Sequence, residues 1–481
     1  MHLELREIPS LLLANGYLAH LFSIAGFLLA MFLIARLMSE KKAPANTFAW
    51  ALVILLIPWL GVPLFLLFGG RKLRRMAARK SQLLPTLPRS LSGPAAQSSG
   101  PIAHTVISAG GTPPVGGNRV QFLPTGEEEY AQLERHIRAA KHTIHITTFI
   151  LGRDETGRRI VALLAERARQ GIKVRLLLDA LGCLVTRMSF VNPLREAGGE
   201  VGRFMPMIPL TSRSSANLRN HRKIAVFDHT TAIIGGRNLA KEYMGPTEYR
   251  KRWRDLGTMI EGPAAALINE IFIADWCFAT RQNPDTLHAE VPSYVVEGRG
   301  QSELQVVASG PDVPGDPLYE GILTMIQEAE KSVCIVTPYF IPDDVLLRSL
   351  IVKARAGREV TLIVPSKSNH PVTDFARRHY TRELREAGGI VLCYPLGMMH
   401  SKAILIDDRA ALIGSANFDI RSLFVNFELG VFLHSEADVH KLQYWVDELE
   451  RRCVPMPDRP LKRTMMGGVA EDLCRLLAPL L

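Results

Sequence analysis

The sequence MHSKAILIDDRAALIGSAN, residues 399–417, has a counterpart earlier in the chain, NHRKIAVFDHTTAIIGGRN at residues 220–238. In both copies a histidine is followed by a lysine two positions later and by an aspartate seven positions later. A glycine comes seven positions after the aspartate, and an asparagine ten positions after it. Two copies at matching distances arise by chance in about one chain in a million or fewer. The chain therefore contains an internal duplication.

The duplication extends well beyond these two stretches. The corresponding segments are 139–150 and 328–340, 158–180 and 346–366, and 194–199 and 384–389. Their patterns indicate helix ends followed by strands, and amphipathic helices followed by a glycine turn and a buried strand. This alternation predicts an α/β fold in which two related sandwich domains, residues 119–300 and 301–481, form a pseudo-two-fold pair.

Two apolar segments precede the duplicated region. The first, from Tyr17 to Ile34, is apolar except for one histidine and one serine, and the second, from Phe48 to Phe68, has no charged residue in 21 positions. Segments of this length fit the hydrocarbon core of a bilayer. Residues 1–75 are therefore expected to form a two-helix transmembrane hairpin. The first segment lacks a small-residue cleavage site, which argues against a signal peptide.

Basic residues around the apolar segments predict their orientation. The connection between them holds three basic residues, whereas RKLRRMAARK at residues 71–80 contributes six. The more basic side of a span stays in the cytoplasm, so everything after residue 70 is expected there. The stretch 71–80 is also expected to contact anionic lipid headgroups. Residues 76–118 include a region rich in proline, glycine and serine and are expected to form a flexible linker.

The composition narrows the class of partner. A formal net charge of +10 over 481 residues favours an anionic partner, such as nucleic acid, an acidic membrane surface or a phosphate-bearing substrate. The six cysteines are scattered and form no C-x-x-C pair, which argues against a zinc site or a disulfide framework. No group of histidines and carboxylates has a familiar metal-ligand spacing, so no metal and no cofactor are expected.

The duplicated motif carries side chains suited to a phosphodiester. Positions i and i+2 of a strand face the same side, so His221 and Lys223 are expected to project together, as are His400 and Lys402. Imidazoles can supply a nucleophile and an acid. The ammonium groups and the motif asparagines can stabilise charge on phosphoryl oxygens. A single cleft holding both motifs would therefore suit phosphoryl transfer.

These motifs resemble the phospholipase D superfamily, whose signature is a duplicated H-x-K-x4-D-x6-G-S-x-N, and more narrowly the bacterial cardiolipin synthases. The narrower resemblance covers nearly the whole chain and includes the apolar hairpin and several further segments: NLRNHRK at 217–223, TPYFIPDD at 337–344, GSANFDIRS at 414–422 and NFE at 426–428. Two positions depart from the family pattern. Gly236 stands where the signature has serine, and Asn369 stands where aspartate is common.

The resemblance implies a phosphatidyltransferase of the bacterial inner membrane. It would join two phosphatidylglycerol molecules into cardiolipin and glycerol through a phosphatidyl-histidine, with His221 as nucleophile and His400 as acid and base. The candidate catalytic residues are His221, Lys223, Asp228, His400, Lys402 and Asp407. The two aspartates among them are expected to brace loops rather than contact substrate. The candidate supporting residues are Asn238, Asn417, Ser415, Asp255 and Glu428, of which the last two are candidates to hold the histidines.

Two other classes of function would use the same fold. A phospholipid hydrolase or a nuclease would use the same histidines with water as the acceptor, and a membrane scaffold would keep only the fold. Complete motifs in both halves argue against a scaffold. The apolar hairpin and the lack of a basic stripe interleaved with aromatic residues argue against a nuclease, so no nucleic-acid partner is expected. Hydrolysis shares its intermediate with transfer and stays open, as do the acceptor lipid and the oligomeric state.

Overall fold

A computed structural model describes residues 23–35, 44–68, 80, 100–186, 188–206, 218–290, 297–313 and 315–457. The chain divides into an N-terminal unit, which ends at residue 75, and a larger unit that contains both copies of the duplicated motif. Residues 207–217, which precede the first motif, and the last 24 residues lie outside the described part of the chain.

The N-terminal unit is helical at residues 23–35 and contains α1 (Pro44–Leu56) and α2 (Pro58–Phe68). The expected second span is divided at Ile57, because the following proline cannot donate a backbone hydrogen bond. Many large apolar side chains here are exposed, including Trp59 at 70%. Within residues 23–35 and 44–68, no single helix has the length and apolar character needed to cross a membrane.

The first part of the larger unit contains a short helix and then the first copy of the repeat. Its strands are β1 (Val115–Leu123), β2 (Thr143–Thr148), β3 (Lys173–Asp179), β4 (Glu200–Phe204), β5 (Ile224–Phe227), β6 (Thr231–Gly235) and β7 (Gly257–Glu261). Its helices are α3 (Pro101–Ser108), α4 (Gly126–Ala139), α5 (Glu155–Arg169), α6 (Asn192–Glu196), α7 (Pro263–Thr280) and α8 (Pro284–His288), with a 3-10 turn at Met188–Val191.

The second copy follows the same plan. Its strands are β8 (Ser302–Ser309), β9 (Ser332–Val336), β10 (Phe340–Ile341), β11 (Glu359–Pro365), β12 (Ile390–Tyr394), β13 (Ala403–Ile406), β14 (Ala410–Gly414), β15 (Phe418–Asp419), β16 (Glu428–Leu433) and β17 (Val454–Pro455). Its helices are α9 (Pro317–Glu328), α10 (Asp344–Arg355), α11 (Pro371–Glu386), α12 (Ile420–Phe424) and α13 (Glu436–Glu450).

Strand order confirms the predicted α/β fold of two related domains. The first half runs β1-β7-β6-β5-β2-β3-β4, and the second runs β8-β16-β14-β13-β9-β11-β12, with β17 added at the edge. Antiparallel pairing of β1 with β8 joins both halves into one 15-stranded sheet. Apolar faces of these strands pack against the helices to form the buried clusters of each half. Equivalent motif strands, β5 and β13, therefore occupy equivalent places in the sheet.

The motif aspartates brace the turns that follow these strands. Asp228 and Asp407 adopt left-handed backbone conformations, with φ of 49° and 50°. The Asp228 carboxylate accepts hydrogen bonds from the backbone N–H groups of residues 141–143, and Asp407 accepts them from residues 330–332. Each carboxylate thus ties a turn to the start of a neighbouring strand. Strands β5 and β13 separate these aspartates from the motif histidines, which is the bracing position expected from the sequence.

Part of the expected linker, residues 76–118, is folded. Helix α3 buries Ile102, Ala103 and Val106 and packs against α9, and β1 already begins at Val115. Four-residue spacing of Ile102 and Val106 gives this short helix an apolar face, which its proline-rich surroundings conceal in the sequence. Lys80 is also fully buried. The expectation that the whole stretch 71–80 contacts lipid headgroups is therefore wrong for Lys80.

Candidate active site

The two motif histidines lie just before their strands rather than within them. The backbone N–H of His221 donates to the carbonyl of Phe427 at 2.9 Å, and that of His400 donates to Arg254 at 2.7 Å. Each of these partners belongs to the other half of the molecule. The expectation that the H-x-K residues lie on regular strands is thus wrong, because their backbone pairs across the interface between the halves.

The imidazole rings are held in the same crossed manner. His221 Nδ1 lies 2.8 Å from Glu428 Oε1, and His400 Nδ1 lies 2.8 Å from Asp255 Oδ2. Both carboxylates are completely buried. The first half therefore holds the histidine of the second half, and the second half holds the histidine of the first. This exchange brings both motifs to one site.

The carboxylates determine which ring nitrogen carries the proton. Burial favours the neutral form of Glu428, but the His221 ring, the Lys223 ammonium and a serine hydroxyl lower its pKa overall. The pKa of Asp255 is lowered in the same way, against the effect of burial, by Lys402 and His400. Ionised carboxylates only accept hydrogen bonds, so each Nδ1 must be the donor. Each neutral imidazole then presents the lone pair of Nε2 to a substrate.

Two buried lysines lie beside the histidines, and burial changes the pKa values of all four groups. Burial lowers the pKa of Lys223 to about 7 and that of Lys402 to about 8. Burial and the two ammonium groups together lower the pKa of His400 to about 3. The pKa of His221 is also lowered by burial and by both lysines, although Glu428 opposes the shift. A bound phosphodiester anion acts in the opposite direction and favours the charged lysines and a protonated histidine.

The two carboxylates are secured by different partners at their second oxygen. Ser415 donates its hydroxyl to Glu428 and accepts the backbone N–H of Leu429 at 3.0 Å. In the first half, Asp255 Oδ1 instead accepts the backbone N–H of Leu256 at 2.7 Å. A Cβ atom at Gly236 would lie 2.4 Å from Asp255 Oδ2. Because position 236 is glycine rather than serine, the Asp255 carboxylate can occupy space that a serine side chain would fill.

The motif asparagines are buried beside the site. Asn238 Oδ1 accepts the backbone N–H of Ile150 at 3.1 Å, which fixes the loop after β2. Asn417 Nδ2 donates to the hydroxyl of Ser422 at 3.2 Å, and its Oδ1 has no hydrogen-bond partner within the described residues. The asparagines thus shape the loops around the site.

Aromatic rings surround the histidines, and sequence reasoning did not identify them. Phe149 and His221 pack in a T-shaped arrangement with ring centroids 5.1 Å apart. Tyr243, Trp253 and Tyr339 lie around His400 at 5.5, 5.3 and 6.5 Å. They come from loops of both halves, so no fixed spacing marks them in the sequence. These large side chains limit the access of water to the two imidazoles.

This arrangement suits in-line displacement at phosphorus. Two Nε2 atoms are available, one to attack and one to deliver a proton, while the lysines neutralise charge on the non-bridging oxygens. His221 is the more accessible ring, with 14% of its side chain exposed against 5% for His400. The site can therefore support a covalent phosphoryl-histidine and its later breakdown.

Comparisons with known proteins agree with this chemistry. The family model described as cardiolipin synthase, PLD-like domain, matches residues 133–276 and 322–450. A second model, described as the phospholipase D-nuclease N-terminal region, matches residues 27–70. One match falls within each half of the 15-stranded sheet.

Individual relatives match over almost the full length. A cardiolipin synthase of Geobacillus kaustophilus is 33% identical over 98% of this chain and 97% of its own. Cardiolipin synthase 1 of Bacillus cereus is 32% identical over 92% of this chain and 90% of its own. The crystal structure of a phosphatidylserine synthase from Haemophilus influenzae superimposes with a TM-score of 0.56, at 16% identity, over 75% of this chain and 95% of that one. At that identity the superposition shows the fold alone.

The crossed hydrogen bonds predict the effect of removing each negative charge. In Asp255→Asn the side-chain amide can rotate to donate to His400 Nδ1, which moves the ring proton to Nε2. Nitrogen chemical shifts in NMR spectra should report this change of tautomer, and turnover should fall about 10²- to 10⁴-fold. Glu428→Gln should do the same to His221.

A matched control is Glu383→Gln, which removes the charge from a partly exposed carboxylate 3.0 Å from His379. This variant should turn over at the parental rate. If the site variants kept the parental tautomers and rates, the carboxylates would not be orienting the histidines.

Proposed function

Because the chain belongs to the cardiolipin synthase family of phospholipase D-like proteins, we propose that it transfers a phosphatidyl group between two phosphatidylglycerol molecules, giving cardiolipin and glycerol. The observation that carries this proposal is the crossed pair of histidine–carboxylate hydrogen bonds, with a buried lysine beside each histidine. It supplies a nucleophile, an acid and two cations for a single phosphodiester.

In the first step, His221 Nε2 attacks the phosphorus of one phosphatidylglycerol. The bond from phosphorus to the headgroup glycerol oxygen breaks, and His400, protonated once the anion is bound, gives its Nε2 proton to the departing glycerol. A phosphatidyl-histidine on His221 results. The greater exposure of the His221 ring supports its role as nucleophile.

In the second step, neutral His400 takes the proton from a hydroxyl of a second phosphatidylglycerol. The oxygen attacks phosphorus, the phosphorus–nitrogen bond breaks, and neutral His221 is restored. Lys223 and Lys402 stabilise charge on the non-bridging oxygens in both steps. Asp255, Glu428 and the other supporting residues, Ser415, Asn238 and Asn417, hold this arrangement, while Asp228 and Asp407 act only through the fold.

A product assay tests the reaction. Purified protein in detergent is incubated with labelled phosphatidylglycerol, and cardiolipin and glycerol should appear in equal amounts. His221→Ala should abolish turnover, and His400→Ala should lower it by about 10²- to 10⁴-fold, because one loses the nucleophile and the other the general acid. His440→Ala, on the exposed face of α13, is the matched control and should keep the parental rate.

The same assay separates the alternatives. Phosphatidic acid as the sole lipid product would identify a hydrolase with water as acceptor. Cleavage of DNA without turnover of lipid would identify a nuclease. Either result would overturn the proposed transfer.

The proposed substrate and the N-terminal sequence together support attachment to the cytoplasmic membrane. Two apolar segments lie within residues 1–75, the family model for the N-terminal region matches there, and a basic stretch follows at residues 71–80. On this proposal the segments anchor the chain as a multi-pass hairpin, with both catalytic halves on the cytoplasmic side.

Reporter fusions test this topology. Green fluorescent protein joined after residue 481 should fluoresce in bacterial cells, and alkaline phosphatase joined at the same position should be inactive, because it needs an oxidising compartment. The opposite pair of results would place the catalytic halves outside the cytoplasm, and release of the protein by carbonate washing would argue against a membrane hairpin.

A further inference from the structure

A buried ionic cluster lies behind the first motif and has no part in the reaction described above. It contains two cations, Lys80 and Arg222, and two carboxylates, Asp275 and Asp312. All four residues are at most 2% exposed. Its charges balance only when all four are present, and a buried charge without a partner is strongly unfavourable.

Lys80 connects the two carboxylates of this cluster. Its Nζ lies 2.7 Å from Asp275 Oδ1 and 2.6 Å from Asp312 Oδ2. Asp275 belongs to α7 of the first half, whereas Asp312 follows β8 of the second half. Within the described residues Asp312 Oδ1 has no hydrogen-bond partner, so Asp312 depends on Lys80. The lysine therefore bridges the halves at a buried point.

Asp275 leads from this bridge to the first motif. Its carboxylate receives two hydrogen bonds from Arg222 Nη1, at 2.6 and 2.7 Å, and one from Asn220 at 2.9 Å. These two residues flank His221 in the chain. The backbone on both sides of the nucleophile is thus tied to a carboxylate that Lys80 holds.

Arg222 also reaches the partner of the nucleophile. Its Nε donates to the backbone carbonyl of Glu428 at 2.9 Å, and the Glu428 side chain holds His221 Nδ1. The Phe427 ring lies beneath Lys80 Nζ at 4.7 Å from its centroid, and the Phe427 carbonyl accepts the His221 backbone N–H. The backbone around His221 and that of Glu428 are therefore both held by hydrogen bonds to residues of this cluster or its neighbours.

We propose that Lys80 is a positioning residue for the first motif, which acts through Asp275 and Arg222 to hold His221 and Glu428 in register. Asp312 has the separate role of balancing the charge of the buried cluster, which contributes to stability rather than to the alignment of His221. The role of Lys80 rests on the proposed function only because its test measures turnover of phosphatidylglycerol. Turnover depends on how well His221 is aligned. The proposal assigns a positioning role to Lys80, which the sequence alone associates with lipid headgroups.

The decisive variant is Lys80→Met, which keeps the length of the side chain and removes its charge. Loss of alignment should lower kcat about 10- to 100-fold. KM for phosphatidylglycerol should stay within about twofold of the parental value, since Lys80 does not contact the substrate. Lys80→Arg should recover part of the rate because it restores a cation. Lys441→Met is the matched control, since Lys441 is 59% exposed and pairs with Asp438 at 3.0 Å.

The double variant Lys80→Met/Asp312→Asn separates positioning from stability. It removes one buried cation and one buried carboxylate, so the charge balance and the thermal stability should return towards those of the parent. On our proposal its kcat should stay low, because Asp275 still lacks Lys80. Asp312→Asn alone should keep a rate within about threefold of the parent, since Lys80 can still pair with Asp275.

Three outcomes would overturn the proposal. One is a parental kcat in folded Lys80→Met, and another is a parental kcat in the double variant, which would reduce Lys80 to a stabilising role. Failure of both variants to fold would likewise make Lys80 a residue of the fold alone. Lack of turnover by the parental protein would contradict the proposed function. Equal rates in the parental protein and the Lys80 variants would contradict only the role of Lys80, so the two failures are distinguishable.

Discussion

The site depends on two hydrogen bonds that cross between the halves of the molecule, from His221 to Glu428 and from His400 to Asp255. Neither motif histidine takes its carboxylate partner from its own half. The duplication therefore produces one site rather than two, and the pairing of β1 with β8 that joins the sheets is also a requirement of the chemistry. Backbone hydrogen bonds beside each ring make the same crossing.

Burial of charge gives this site its reactivity and also its structural demands. The lysines carry depressed pKa values because they are removed from water, and a phosphodiester anion restores their charge when it binds. The same removal from water requires a partner for every other buried ion. Behind the first motif that requirement is met by a lysine far away in the sequence, Lys80, which links the geometry of the nucleophile to a distant segment.

Much of this could be predicted from the sequence, because a duplication preserves spacing. Repeated segments predicted two α/β halves, and the motifs located the histidines and lysines. Contacts between residues far apart in the sequence leave no repeated spacing from which they could be predicted. The assignment of Glu428 to His221, the fit of Gly236 against Asp255 and the burial of Lys80 each depend on segments that meet only in the folded chain. Helix α3 was missed because its short apolar face lies among prolines and glycines.

The central claim is that both imidazoles act on one phosphorus atom. A crystal structure of the protein with orthovanadate, which mimics pentacoordinate phosphorus, tests it most directly. We expect one vanadium atom bonded to His221 Nε2, with an opposite oxygen hydrogen-bonded to His400 Nε2 and the equatorial oxygens near the two motif lysines. Two separate ions, one at each histidine, or an ion that contacts only one ring, would contradict the account.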